Sequence, residues 1–93
     1  MRFSESEQLA MHEYSLVQAM FDQIHDVMRA RDAIAVRRVR VRLGDFAGVE
    51  PALFRTAYEL FRIDTPCADA PLEISEAGAC DDLILEQVDL EVP

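Results

Sequence analysis

The sequence predicts a two-layer α+β domain in which a three-stranded sheet is covered on one face by two helices. Two segments carry apolar residues at spacings of three and four, while three others alternate apolar and polar residues with a period of two. Their order along the chain is helix, strand, helix, strand, strand, which places both helices on one side of a small sheet. With 93 residues the chain holds one hydrophobic core, because two cores would each approach the roughly 40-residue limit below which metals or disulfides are needed.

The elements follow in sequence order. Residues 1–10 are polar and acidic, show no sustained period and read as a loose extension or short helical turn. From Ser15 to Arg31 a helix is expected, because Leu16, Ala19, Met20, Ile24, Val27 and Met28 share one face without Gly or Pro interrupting. Ser15 with Gln18 forms a candidate capping box, and Arg29 and Arg31 complement the dipole at the other end. Ala35 to Leu43 reads as a strand whose Val39, Val41 and Leu43 alternate with an arginine ladder of Arg38, Arg40 and Arg42. After the turn Gly44-Asp45-Phe46-Ala47-Gly48, Glu50-Pro51 opens a second helix, with Leu53, Ala57, Leu60 and Phe61 as its buried stripe and Phe54 and Tyr58 widening it. Asp64-Thr65-Pro66 ends that helix. Leu72 and Ile74 mark a second strand, and Val88, Leu90 and Val92 a third. In one sheet the arginines would meet Glu73, Asp89 and Glu91, each pair contributing roughly 0.2–1 kcal/mol.

Charge narrows the function classes. Eighteen acids against nine bases, all arginine, give a formal charge of −9, which repels a phosphate backbone, so no nucleic-acid partner is expected. No apolar run is long enough for a membrane span and the first residues lack the pattern of a secretory signal, so the expectation is a cytoplasmic chain without membrane contact. Cys67 and Cys80 belong to no CxxC pair and read as ordinary thiols, with a disulfide as the alternative. No nucleophile–base pair, phosphate-binding glycine loop or carboxylate cluster can be assembled, so the chain is not expected to be an enzyme.

His12 and Glu13, in Met11-His12-Glu13-Tyr14-Ser15, are the residues most suggestive of chemistry. An imidazole beside flexible backbone can offer its nitrogen and adjacent amide nitrogens in one plane, a donor set that favours Ni(II) or Cu(II) over zinc. By itself such a dipeptide is more commonly a solvated surface pair. His25, beside Phe21 and Met28, reads as a half-buried structural histidine.

The segments MHEYSLVQAM, VRVRLGDFAGVEPALFRTAYELF, APLEI and LILEQVDLEV, in that order, resemble the nickel-binding domain of the HypA/HybF family, metallochaperones that help mature NiFe hydrogenases. The resemblance runs from Met11 almost to the chain end, giving a HypA-like domain over 11–93 after the extension at 1–10. It implies nickel at His12, with Glu13 beside it and Glu50 as an accessory group. It also implies a nickel-loading GTPase and the hydrogenase large subunit as partners. Glu50 alone reads as an acid stabilised by a helix N-terminus.

Two features depart from the family pattern. Family members usually begin at the methionine of MHE, so that a terminal amine reaches the metal, whereas ten residues precede Met11 here. An internal amide could substitute only by losing its proton. The family also inserts a zinc lobe with two CxxC pairs before the last strand, where this chain has Glu76-Ala77-Gly78-Ala79-Cys80-Asp81-Asp82, so no zinc is expected. The short connection is expected to let the last two strands pair directly. Two functions follow: delivery of Ni(II) to a partner in hydrogenase maturation, or a HypA-like module that docks on maturation or hydrogenase proteins without metal. The acidic border of Glu86, Asp89 and Glu91 would serve the second, and exchange of the terminal strand between protomers would give a homodimer.

Overall fold

The computed structural model describes residues 5–93, with side chains described from His12 onward. It contains α1 (Glu5–Arg31), β1 (Ala35–Leu43), α2 (Pro51–Phe61), β2 (Leu72–Glu76) and β3 (Leu83–Glu91), the expected two-layer α+β arrangement. No helix among the described residues is long and apolar enough to cross a membrane.

The first helix starts ten residues before the expected Ser15, which lies within it. Glu5, Gln8, Leu9 and Ala10 are good helix formers, no Gly or Pro intervenes, and acids near the start suit the dipole, so propensity continues the helix where no periodic apolar stripe announces it. Of the expected extension, residues 1–4 lie outside the described residues and 5–10 belong to α1. The buried stripe is Glu13, Val17, Met20, Phe21, Ile24 and Met28. It is rotated from the expected one, leaving Leu16 half-buried and Ala19 and Val27 exposed. At the other end Asp32 adopts φ 53°, and the Ala33 N–H donates to the Met28 carbonyl at 3.0 Å, closing the helix with a Schellman-type bond.

The sheet order is β2-β1-β3. β1 pairs parallel with β2, Val39 opposite Leu72, and antiparallel with β3, Val39 opposite Val88. The last two strands therefore do not pair, contrary to the expectation; they flank β1. Parallel pairing of β1 and β2 is made by the α2 crossover, and the Ala77–Asp82 connection then carries the chain across the end of β1. There the Ala77 N–H donates to the Leu43 carbonyl at 2.9 Å and the Gly44 N–H to the Asp82 carbonyl at 2.8 Å.

One face of β1 buries Val36, Val39, Val41 and Leu43 beneath the helices. α2 contributes Phe54, Ala57 and Tyr58; Leu53 and Phe61 are half-buried, and Leu60, expected inside, is exposed because it falls on the outer flank. Phe21 stacks on Tyr58 with ring centroids 5.7 Å apart, and Tyr14 meets Phe61 at 5.5 Å. The Tyr58 hydroxyl donates to the Ala70 carbonyl at 2.8 Å, tying the segment before β2 to the core.

The outer face carries the expected ion pairs, in modified form. Arg38 lies 3.6 Å from Glu73 and 3.4 Å from Asp89, and Arg40 reaches Glu73 at 2.9 Å. Glu91 instead pairs with Arg37 at 2.6 Å and Arg42 with Asp82 at 3.4 Å, because register shifts beside Val36/Arg38 and Arg40/Val41 displace the rows. The Glu73 hydrogen bond raises the Arg40 pKa above its ordinary value.

Both cysteines are free thiols, Cys67 buried and Cys80 partly exposed. Burial raises Cys67 from 9.0 to about 11, opposed by a hydrogen bond with Tyr58 and by the charge of Arg62. The unfolded thiol ionises first as pH rises, so the contribution from a neutral Cys67 is fully present below pH 9.0 and is lost toward about 11. Urea midpoints measured across this range should fall, and the Cys67→Ala variant should lose this part of the slope. Gly44 is packed so closely on the Cys80 backbone that an added Cβ would stand 2.7 Å from its carbonyl carbon. Gly44→Ala should therefore destabilise the protein by about 1–3 kcal/mol in urea unfolding, an overpacking cost.

Candidate metal-handling site

The site is assembled where the N-terminal half of α1 crosses the start of α2. Glu13 is the buried charged side chain among the described residues, with no exposed surface. Its Oε1 accepts the backbone N–H of Glu50 at 3.3 Å. Burial of a carboxylate is costly, and this contact offsets part of the cost by placing the charge beside a backbone donor at the positive end of α2. The other oxygen, Oε2, is buried without a hydrogen-bond partner.

Glu50 is the N-cap of α2. Its backbone is extended, φ −84° and ψ 115°, and its side chain accepts the Ala52 N–H at 3.2 Å. Pro51 follows at the position where an N–H would have no helical acceptor. Glu50 is exposed, as the reading of an acid at a helix N-terminus requires, and its amide links it directly to Glu13. The turn leading to it uses Gly48 at φ 73°, a conformation that glycine adopts without a Cβ penalty.

His12 is exposed and lies inside α1, not in loose backbone before it. In α-helical geometry the amides of His12 and Glu13 donate to carbonyls four residues earlier, so the planar set of imidazole and adjacent amides is closed in this conformation. Among the described residues no group of three or more His, Cys, Asp or Glu side chains forms a preformed metal cage. The structure thus brings Glu13 and Glu50 together and leaves His12, next to Glu13 in sequence, on the surface. Burial of Glu13 was missed by sequence reasoning; the available signal was its spacing of four from Val17 and eleven from Ile24, on the buried stripe.

Beside Glu50 a cleft of about 600 Å³ is lined by Asp45, Glu50, Arg55 and Glu76 among others. Arg55 spends one guanidinium N–H on the Leu72 carbonyl at 2.8 Å. His25, expected half-buried, is exposed at the far end of α1, where with Met28 and Asp32 it lines a separate hollow.

Fold and site define a class: a small α+β domain with a His-Glu pair on its first helix, anchored at the cap of the second. The family model described as "Hydrogenase/urease nickel incorporation, metallochaperone, hypA" matches residues 11–81, and the chain belongs to this family. A "Hydrogenase maturation factor HypA" of Shewanella oneidensis is 47% identical over 62 residues, which is 67% of this chain and 52% of that protein. Its namesake in Wolinella succinogenes is 41% identical over 64 residues, 69% of this chain and 54% of the relative. The chain spans about half the length of the curated relatives it matches. Among solved structures, the "Ni metallochaperone HypA from Helicobacter pylori" aligns with TM-score 0.76 over 87% of this chain and 98% of that chain; at 19% identity this shows a shared fold. A second, described as "HypA protein", aligns with TM-score 0.63 and 27% identity over 83% of this chain and 71% of that chain.

Glu13→Ala should cost about 1–3 kcal/mol, because it removes the acceptor of the part-buried Glu50 N–H and empties a fully buried position. Glu13→Gln, which keeps an acceptor of the same shape, should cost less. Glu50→Ala removes the cap without removing its amide and should cost about 1 kcal/mol. Urea denaturation of the three variants checks this order.

Proposed function

We propose that this chain is a nickel-handling accessory protein for hydrogenase maturation that takes up Ni(II) at His12 and passes it to a partner protein. The observation that carries the reading is the exposed His12 next to a buried carboxylate with an unpartnered oxygen, joined through the Glu50 amide to a second carboxylate. Family membership and the names of its relatives support nickel as the cargo.

His12 supplies the exposed imidazole. The exposed Glu50 carboxylate is the accessory oxygen, Glu13 holds α1 to the Glu50 amide and could offer its buried Oε2 only if that contact opened, and opening the first turns of α1 releases the amides at 12 and 13. A released amide ligates only after losing its proton, so uptake strengthens as pH rises. By family resemblance the recipients are a nickel-loading GTPase and the hydrogenase large subunit, and no enzymatic step is assigned to the chain itself. A second reading, an interaction module that docks without metal, is favoured by one observation: His12 and Glu13 lie in a continuous helix that engages their amides.

Calorimetric titration of Ni(II) into the full chain separates the two. His12→Ala should weaken binding by about tenfold or more, the size of effect expected when a metal site loses a group that orients or ligates. Nickel should also lower helicity in circular dichroism as the first turns open, and a chain starting at Met11 should bind more tightly than the full chain because it adds a terminal amine. Equal nickel binding by the full chain and its His12→Ala variant would sink the delivery reading in favour of the docking module.

A further inference from the structure

β3 is incompletely covered. It is an edge strand of nine residues, and its helix-facing Leu83, Leu85, Val88 and Leu90 are all only partly buried, whereas the corresponding residues of β1 are fully buried. Two hollows follow the seam between β3 and α1. One, of about 160 Å³, lies between Leu16 and Gln23 on α1 and Leu83 and Leu85 on β3. The other, of about 480 Å³, is bounded by Val27, Arg31, Val88, Leu90 and Val92. Val27 and Val92 are 37% and 57% exposed there.

Charge identifies what suits this edge. Across the outer face of the sheet the sign alternates by strand: Glu73 on β2, Arg38 and Arg40 on β1, Asp89 on β3. Glu91 continues the acidic row, and Glu86 beside it is exposed. The next strand in this alternation is basic on the same face, and its other face must be apolar to fill the α1 seam. A second copy of β3 does not meet the requirement. Its outward residues Glu86, Asp89 and Glu91 are acidic, so a second copy would bring acids to this edge where bases are required, and like charges opposite one another are destabilising.

We propose that the free edge of β3 docks a strand of a partner protein whose residues alternate apolar, toward α1, and basic, toward Glu86, Asp89 and Glu91. The partner extends the sheet by main-chain hydrogen bonds, while its basic residues select this acidic edge over others. This surface does not depend on the nickel reading, because no residue in it belongs to the His12 site.

The probe is a nine-residue peptide alternating valine and lysine, titrated into the full chain and followed by hydrogen exchange of individual amides, with a valine–glutamate peptide as the opposite charge pattern. The lysine peptide should slow exchange along β3 and leave β2 unchanged, and the glutamate peptide should not bind. Glu86→Lys should weaken the lysine peptide by about fivefold, the reach of one cross-strand charge pair, whereas Glu76→Lys on the opposite edge should not. Equal weakening by the two substitutions would mean attraction to a general negative charge and would overturn the proposal. So would protection outside β3, or sedimentation showing a dimer whose β3 amides are already protected without peptide.

Discussion

The placement of Glu13 fixes the geometry of the end of the domain where α1 meets the start of α2. A helix advances about 100° per residue, so a residue next to one at the edge of the buried stripe is carried onto the exposed side. Glu13 is directed inward to the Glu50 amide while His12 before it is exposed, and the rest of the stripe, Val17, Met20, Phe21, Ile24 and Met28, follows in phase. A carboxylate is an expensive residue to bury, and an apolar side chain would pack there at lower cost. What the carboxylate supplies is direction: it is satisfied only where the start of α2 presents its amide, and that ties the rotation of α1 to the position of the cap.

β1 plays the corresponding part for the sheet. Its apolar face lies under both helices, and its arginines find carboxylates on both sides, Glu73 from β2 and Asp89 from β3. A strand with matching partners on two sides belongs in the middle, so β2 and β3 are kept apart. The connection of Ala77 to Asp82 therefore has to pass over the end of β1, and the tight contact of Gly44 with Cys80 is where it does so.

The period of each element was legible in the sequence, and with it the fold class: β1 has the expected bounds, and α2 begins behind Glu50 as read. What was not legible depends on interactions between elements. The start of α1 was placed at Ser15 because apolar periodicity begins near there, yet helices extend on propensity alone once nucleated. Strand order was misread because adjacency in sequence was taken for pairing, whereas the matched charges on both sides of β1 held the better information. At the candidate site, His12, Glu13 and Glu50 are what the family resemblance implies, but the inward direction of Glu13 is a property of helix phase. Counting back by four from Val17, with Glu13 admitted to the apolar stripe, would have found it; a search limited to apolar residues excluded it.

The long helix and the nickel reading oppose each other, and magnitudes decide how strongly. Planar ligation through the His12 and Glu13 amides breaks the helical hydrogen bonds they make, each worth about 0.5–1.5 kcal/mol net. Helix ends open at far lower free energy than helix centres, and His12 is much nearer to Glu5 than to Arg31. The anchor at Glu13 marks the boundary of what can open cheaply: Glu13, Val17 and the buried residues after them are held in the core. On the nickel reading, uptake at this position is a competition between a few end-of-helix hydrogen bonds and the ligation of one ion, and residues 5–10 set the balance by adding turns that must open first.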